Sequence, residues 1–596
     1  MKQRPERRSP DAIHTQRTQP MPTGIASSAA PAVTQSANYT ATFQPIRKRR
    51  VVLRSVLLLL CFGIILELLY LALYPLLAET TAGGDSVQLA LPGLLPWLPG
   101  LYWTRFWSPQ FLAHVSWLNL THSERNFANV LLLLLSLASA VVLFAAAAGR
   151  KVTKVRLSSA NERLLFWIVM TLTLVFSLTM LIAPVTTGPM SQDMLLYGLY
   201  GRMVVAHHVN PYVFVPTSFP QDILQTIVRA QDVAPYGPVW VDLSIMVALF
   251  AHDSVANVLL GFRTIGLLVH LLNAVLLWSI LAWMMPEKRI AATLLYAWNP
   301  LVLLIGISMM HLELVVVLFI LLAVLFFQRD SFMLSWMLIL LTALINLLCV
   351  LLLPLFLRLI MRKMRIWSWR KRLLWWSGTI VLSLSIVALA YAPYWQGWGF
   401  PGLIASVRQV FLRNNDPVNS LNAALLYLPA QLPGPIMWLL IPHHWAYLVL
   451  ILVGCLLLFS LWLADTLELV IFFGSWLFLL LAILGPVYWP WYVILPLMLA
   501  LASNSRSTIL LVVLLMLGAL FSFYCWQGHL LWPGQGLAAL GLPLLLWGWT
   551  LFFTSLCRRT RPRIPEPAGG QSRRQPPRFS RPAWLSRPSF PSRPGR

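Results

Sequence analysis

Apolar runs recur between residues 55 and 556, many of them close to the roughly 20 residues that cross about 30 Å of hydrocarbon. Lipid offers no water to satisfy backbone N–H and C=O groups, so runs of this length are expected to be helices. They lie near 55–78, 127–148, 163–184, 239–251, 255–283, 290–305, 309–327, 332–357, 373–393, 446–463, 467–485, 487–502, 508–526 and 536–556. Several are short or broken by proline, which gives a range of about 11 to 14 spans. Only 11% of the residues are charged and 58% are hydrophobic, against roughly 25% charged in a soluble domain. The expected fold class is an all-α polytopic membrane bundle. No soluble stretch is large enough to fold alone, so any chemistry has to be built from helix ends and external loops.

The net charge of +25 sits in four clusters: Arg47 to Arg50, Arg150 to Arg156, Arg358 to Arg372, and the tail from Arg558. Short loops rich in Lys and Arg stay cytoplasmic, and anionic headgroups are their expected partners; nucleic acid is not. This orientation gives a multi-pass protein of the cell membrane with both tails inside. Residues 1–46 and 558–596, rich in Pro, Ser, Gln and Arg, have little to bury and are expected to be disordered. The segment between them, 47–557, is read as one membrane domain. Its first apolar run is long enough to be an anchor and is not read as a cleavable signal. The five cysteines are scattered, without metal or disulfide spacing.

Three poorly basic regions fall outside, at about 79–126, 185–238 and 394–433. The second is far longer than the usual connection of about 4–6 residues. It holds Asp193, then Tyr197, Arg202, an Asn210-Pro211-Tyr212 turn and a Tyr236-Gly237-Pro238 turn. Taken alone, Asp193 is a solvated loop carboxylate. Directly after a span it is partly desolvated, which raises its pKa and improves it as a proton acceptor, so it is the candidate general base. His311 and Glu313 follow Asn299-Pro300 within an apolar stretch. Ionisable groups there are expensive and mark function or a partner; the plainer reading is a helix end at the interface. At i, i+2 they do not share a helix face, which argues against a metal site from this pair alone. Arg413, Asn414, Asn415 and Asp416, with Asn419 and Asn422, form the densest polar cluster outside the tails. Asn offers a donor and an acceptor to sugar hydroxyls and Arg a fork for phosphate, or else the loop simply caps the next helix. Trp489-Pro490-Trp491-Tyr492 opens a late run, as an interfacial anchor or as a platform for a sugar ring.

Taken in order, these residues resemble the GT-C superfamily of membrane glycosyltransferases. The nearest groups are the bacterial polyprenyl-phosphomannose-dependent α-mannosyltransferases and the glycosyltransferase 87 (DUF2029-like) proteins. The resemblance runs from about Leu181 to Leu501. It implies a GT-C-like helical bundle with interfacial helices in the external loops. It also implies transfer of a hexose, with mannose expected, from a polyprenyl-phosphate donor to an extracytoplasmic glycan or lipid acceptor by inverting displacement. Asp193 matches the family's first-loop carboxylate, the base that deprotonates the acceptor hydroxyl. Tyr197, Arg202, Asn210, Tyr236, His311, Glu313, Arg413, Asn415, Trp491 and Tyr492 are the candidate substrate-binding residues. No cofactor is required and no metal ligand is assigned, although Glu313 and Asp193 could bind a divalent metal. Relatives often read His-Asn-Asp or His-Asn-Glu where this chain has His311-Leu312-Glu313, and a Lys where it has Asn346. If that Lys holds the lipid phosphate, Arg408 or Arg413 would have to take its place, or the donor differs. The competing reading, a transporter or flippase of a lipid-linked sugar, calls for internal repeats and midplane charges, and no repeat is visible. A single site requires Asp193 to lie beside His311 or the 408–422 cluster.

Overall fold

A computed structural model describes residues 35–73, 124–153, 158–183, 192–411, 417–426, 433–527 and 534–559. The chain forms two units, Met1–Leu544 and Leu545–Arg596, the second described only through the remainder of the helix Leu542–Arg559. Among the described residues there are only helices and turns, apart from one isolated parallel bridge between Val418 and Val487. The elements that build the site are α1 (Gln35–Ala72), α2 (Glu124–Thr153), α3 (Ser159–Ile182), α4 (Gln192–Val205) and α5 (Pro238–Ala251). They continue with α6 (Val255–Met284), α7 (Arg289–Ala297), α8 (Pro300–Leu303), α9 (Glu313–Gln328) and α10 (Phe332–Ile345). The first helix starts at Gln35, inside the segment whose composition reads as a tail, because a nucleated helix propagates through polar residues at little cost.

Nine described helices are long and apolar enough to cross a membrane, and the bent pair Arg289–Ala297 and Pro300–Ser308 makes a tenth. Four runs that hydropathy alone counts as spans are shorter helices: Pro238–Ala251, Glu313–Gln328, Phe332–Ile345 and Pro490–Leu501. At about 1.5 Å per residue they fall short of the hydrocarbon thickness on their own. Hydropathy registers apolar length but not where a helix ends. Asn346 ends α10 by accepting the Leu348 N–H at 3.1 Å and starting a tighter turn.

Capping residues set the starts. Ser158 and Ser254 accept N–H groups three residues on, opening α3 and α6, as Ser does at N-caps. The bend of 47° between α7 and α8 has the same origin. Pro300 cannot continue α7, since it has no N–H to donate. Asn299 Oδ1 accepts from Leu301 and Val302, while its Nδ2 donates to the Leu295 carbonyl at 3.0 Å. One side chain therefore closes one half-helix and opens the next.

A cluster of described basic groups gathers at one end of the bundle. Thr153 bonds the Glu287 carbonyl at 2.7 Å, Lys288 reaches Asn504 at 2.7 Å, and Arg289 pairs with Glu162. Arg358 and Arg362 pair with Asp465 in the turn before Glu468, which itself acts on Lys288. From Met284, at this end, α6 climbs about 30 Å to Arg263. Its first two turns project past that level beside α4 and α5.

The projecting helices meet backbone to backbone. Gly201 of α4 lies against the Ser244 carbonyl of α5, and Gly237, the N-cap of α5, lies against the Leu344 carbonyl of α10. Gly237 also donates its N–H to Ile345 at 3.1 Å. A Cβ at Gly237 would collide with main chain, which cannot rotate away as a side chain can. Gly237→Ala is therefore expected to cost about 1–3 kcal/mol and to lower the melting temperature in detergent. Gly434→Ala, where an added Cβ meets nothing within 4 Å, should leave it unchanged.

Candidate active site

The loop reads as an aromatic scaffold around the Asp193 carboxylate. Asn210 makes an Asx turn, accepting the Tyr212 N–H at 3.0 Å, and donates to the Tyr394 carbonyl at 2.6 Å. Tyr212 donates to the Tyr236 carbonyl at 2.8 Å. Tyr236 and Trp240 each pack edge-on against Tyr197 with ring centroids 4.9 Å apart. Tyr197 also meets Phe262 of α6. These contacts fix α4 against α5 and α6 and leave its first turn, with Asp193, facing the start of α9.

The Asp193 carboxylate (Oδ2) lies 3.5 Å from Nδ1 of His311. This is longer than a formed hydrogen bond, as is common before substrate tightens a site. His311 is fully buried, and its ring stacks on Trp491 at 4.0 Å and 21°. Trp491 in turn stacks on Trp489 at 5.1 Å and 4° and meets Tyr492 edge-on. Glu313 begins α9 buried, with Oε2 unpartnered. The residue before His311, Met310, holds a left-handed φ of 40°, a conformation that costs about 1–3 kcal/mol in a non-glycine residue and gathers at functional sites. The π turn Leu304–Ser308 leads into it.

Burial pushes the Asp193 carboxyl up to about 7, while 28% of its side-chain surface stays open. It is thus basic enough to take a proton near neutral pH and open enough to receive one. Burial also holds the Tyr197 and Tyr236 phenols well above their ordinary value, reinforced by the charges of Asp193 and Glu313. Both tyrosines are proton donors here and not bases.

Asp193, Tyr197, Tyr236, His311, Glu313, Trp491 and Tyr492 are thus brought together. Two expected residues are engaged elsewhere. Arg202 pairs with Asp222 at 3.0 Å and Asp253 at 2.9 Å and bonds the His252 carbonyl. Burial alone would raise Asp222, but the Leu224 N–H, His207 and Arg202 hold it below the usual carboxylate range. Asn210 is occupied by its turn. Arg413 and Asn415 lie outside the described residues. The neighbouring stretch does reach this end: Val418 exchanges backbone bonds with Pro486 and Tyr488, just before Trp489. Asn419 accepts from Gln535, and Asn422 is buried with neither amide atom partnered. Among the described residues no group of three or more His, Cys, Asp or Glu side chains is gathered as metal ligands would be.

Arg263 was overlooked in the sequence. It is a lone Arg in the apolar run 255–284 and is 1% exposed. Its isolation among apolar residues was the available signal.

Residues 100–362 match the family described as alpha-(1->6)-mannopyranosyltransferase, N-terminal domain. Asp193, His311 and Glu313 fall inside the match, and Trp489 to Tyr492 fall beyond it. No curated protein matches the chain. The matched stretch and the many apolar spans agree on one assignment: the chain is a multi-pass membrane glycosyltransferase, similar over residues 100–362 to the alpha-(1->6)-mannopyranosyltransferase family.

Proposed function

We propose that the protein transfers mannose from a polyprenyl-phosphate donor to a hydroxyl of a glycan or glycolipid on the extracytoplasmic face, within a GT-C-like catalytic bundle of the cell membrane. The observation that carries this reading is the half-open Asp193 carboxylate against His311, backed by the stacked Trp491 and Trp489. Asp193 takes the proton from the acceptor hydroxyl as its oxygen attacks the anomeric carbon. The bond from that carbon to the phosphate oxygen breaks on the opposite side, and polyprenyl phosphate departs with the bonding pair. The proton then leaves through the open side of Asp193. Phosphate is a good leaving group, so one base and a donor-lined pocket for a cation-like sugar suffice. The family's name suggests an α-(1→6) linkage, hence a primary C6 hydroxyl as nucleophile. A single displacement inverts the anomeric centre, so an α product requires a β-linked donor.

The test is a panel of radiolabelled polyprenyl-phosphate sugars, both anomers, supplied to membranes containing the protein. Mannose should move from the β-linked donor alone, into a product cleaved by α-mannosidase. Transfer from a nucleotide sugar with no lipid-linked donor present would overturn the donor assignment.

A further inference from the structure

Arg263 lies eight residues into α6 with its guanidinium buried and bonded to main-chain carbonyls and to a serine hydroxyl. Nε donates to the Ser308 carbonyl at 2.7 Å, and Nη2 to the Ser308 hydroxyl at 3.1 Å. Nη1 donates to the Leu181 and Ala183 carbonyls at 3.0 and 2.6 Å. These acceptors belong to two segments far apart in sequence. Leu181 and Ala183 end α3, where carbonyls lack helical partners and the helix dipole favours a cation. Ser308 closes the π turn that runs into Met310 and His311. Ala183 is ten residues before Asp193, and Ser308 is three before His311. α6 approaches that turn closely because position 266 is glycine: a Cβ there would meet Met310 Sδ at 2.8 Å and the Gly306 carbonyl at 3.0 Å.

We infer that Arg263 is a positioning residue of the transfer reaction: it ties the π turn before His311 to α6 and the end of α3, and the neighbouring Phe262 packs on Tyr197 of the helix that carries Asp193, so that the spacing of Asp193 and His311 is fixed. Burying a guanidinium is expensive unless its donors are met, and here they are met by the end of α3 and by the turn before His311. A planar fork spans both segments at once. A lysine ammonium is a single point and does not. The clamp also holds Met310 in its left-handed conformation, which a free loop would relax.

The inference rests on Asp193 acting as base, and the experiment separates the two. Arg263→Ala, Arg263→Lys and Asp193→Asn are made in the full-length chain and assayed in membranes, with activity expressed per folded molecule. Arg263→Ala should lower kcat about 100-fold, the loss expected from misplacing a reacting group by about 1 Å, with donor KM changed less than about threefold. Its acidic pH limb should move, and added guanidinium should restore at least about a tenth of the rate. Arg263→Lys should be slow and not rescued. An Arg263→Ala protein with unchanged kcat and pH profile per folded molecule would overturn the inference, as would a loss carried wholly by KM. Full activity in Asp193→Asn would remove the base instead, whatever Arg263 does.

Discussion

Asp193→Asn is expected to lower kcat by about 10³-fold, within the range that general bases contribute, with donor KM within a few-fold of the parent. Asn keeps the size of the side chain but is neutral and cannot take up a proton. In the parent enzyme activity should rise with pH through about 7, where burial places the Asp193 carboxyl, and that limb should be missing from the residual activity of the variant. Stability should move the other way. Between the ordinary carboxylate range and about 7, the folded chain holds a proton on Asp193 that the unfolded chain has already released. Folding therefore loses stability as pH rises through that window. Asp193→Asn removes the loss, so above neutral pH the variant should melt no lower than the parent. An inactive variant that also melts lower at pH 8 would point to a structural carboxylate and not a catalytic one.

The second large effect is expected at His311. Its imidazole combines a nitrogen 3.5 Å from the Asp193 carboxylate with a flat face on Trp491. His311→Phe keeps the face and removes the nitrogen. It should cost about 10–100-fold in kcat, the smaller part of an acid–base contribution, at near-normal stability. His311→Ala removes both and opens a cavity at a fully buried position, so it should add a stability loss of about 2–4 kcal/mol. Thermal melts and single-turnover rates on both variants separate the roles. Equal rates for Phe and parent would mean that the ring acts through packing alone.

How much of this could be read beforehand depends on how local each cause is. The apolar runs gave helices because backbone satisfaction in lipid leaves no alternative. The Asn210-Pro211-Tyr212 turn and the Asn299-Pro300 break were legible too, since an Asx turn and a proline act within three or four residues. Asp193 stood out by its place after a span. Arg202 was misleading: beside Asp193 it looked available to substrate, but Asp222 and Asp253 take its guanidinium from 20 and 51 residues away. The role of Arg263 was hidden for the same reason, its acceptors lying 80, 82 and 45 residues off. Among the described residues, α5, α9 and α10 are as apolar as the nine long helices and differ from them in length, which hydropathy does not register. Tertiary partners decide all of these, and a single chain read in order does not reveal them.

The bend at Asn299 has a consequence for how such a site can be aimed. A helix that stops inside a bilayer normally leaves carbonyls and N–H groups that call for water. Asn299 is 2% exposed and meets the Leu295 carbonyl and the Leu301 and Val302 N–H groups with its own amide. The groups freed at the turn are thus met from within the protein. The half-helix after it can change direction by 47° and lead toward His311, which faces Asp193. Satisfying the backbone at the bend with a side chain of the same chain is what lets the helix change course there and lead on to His311.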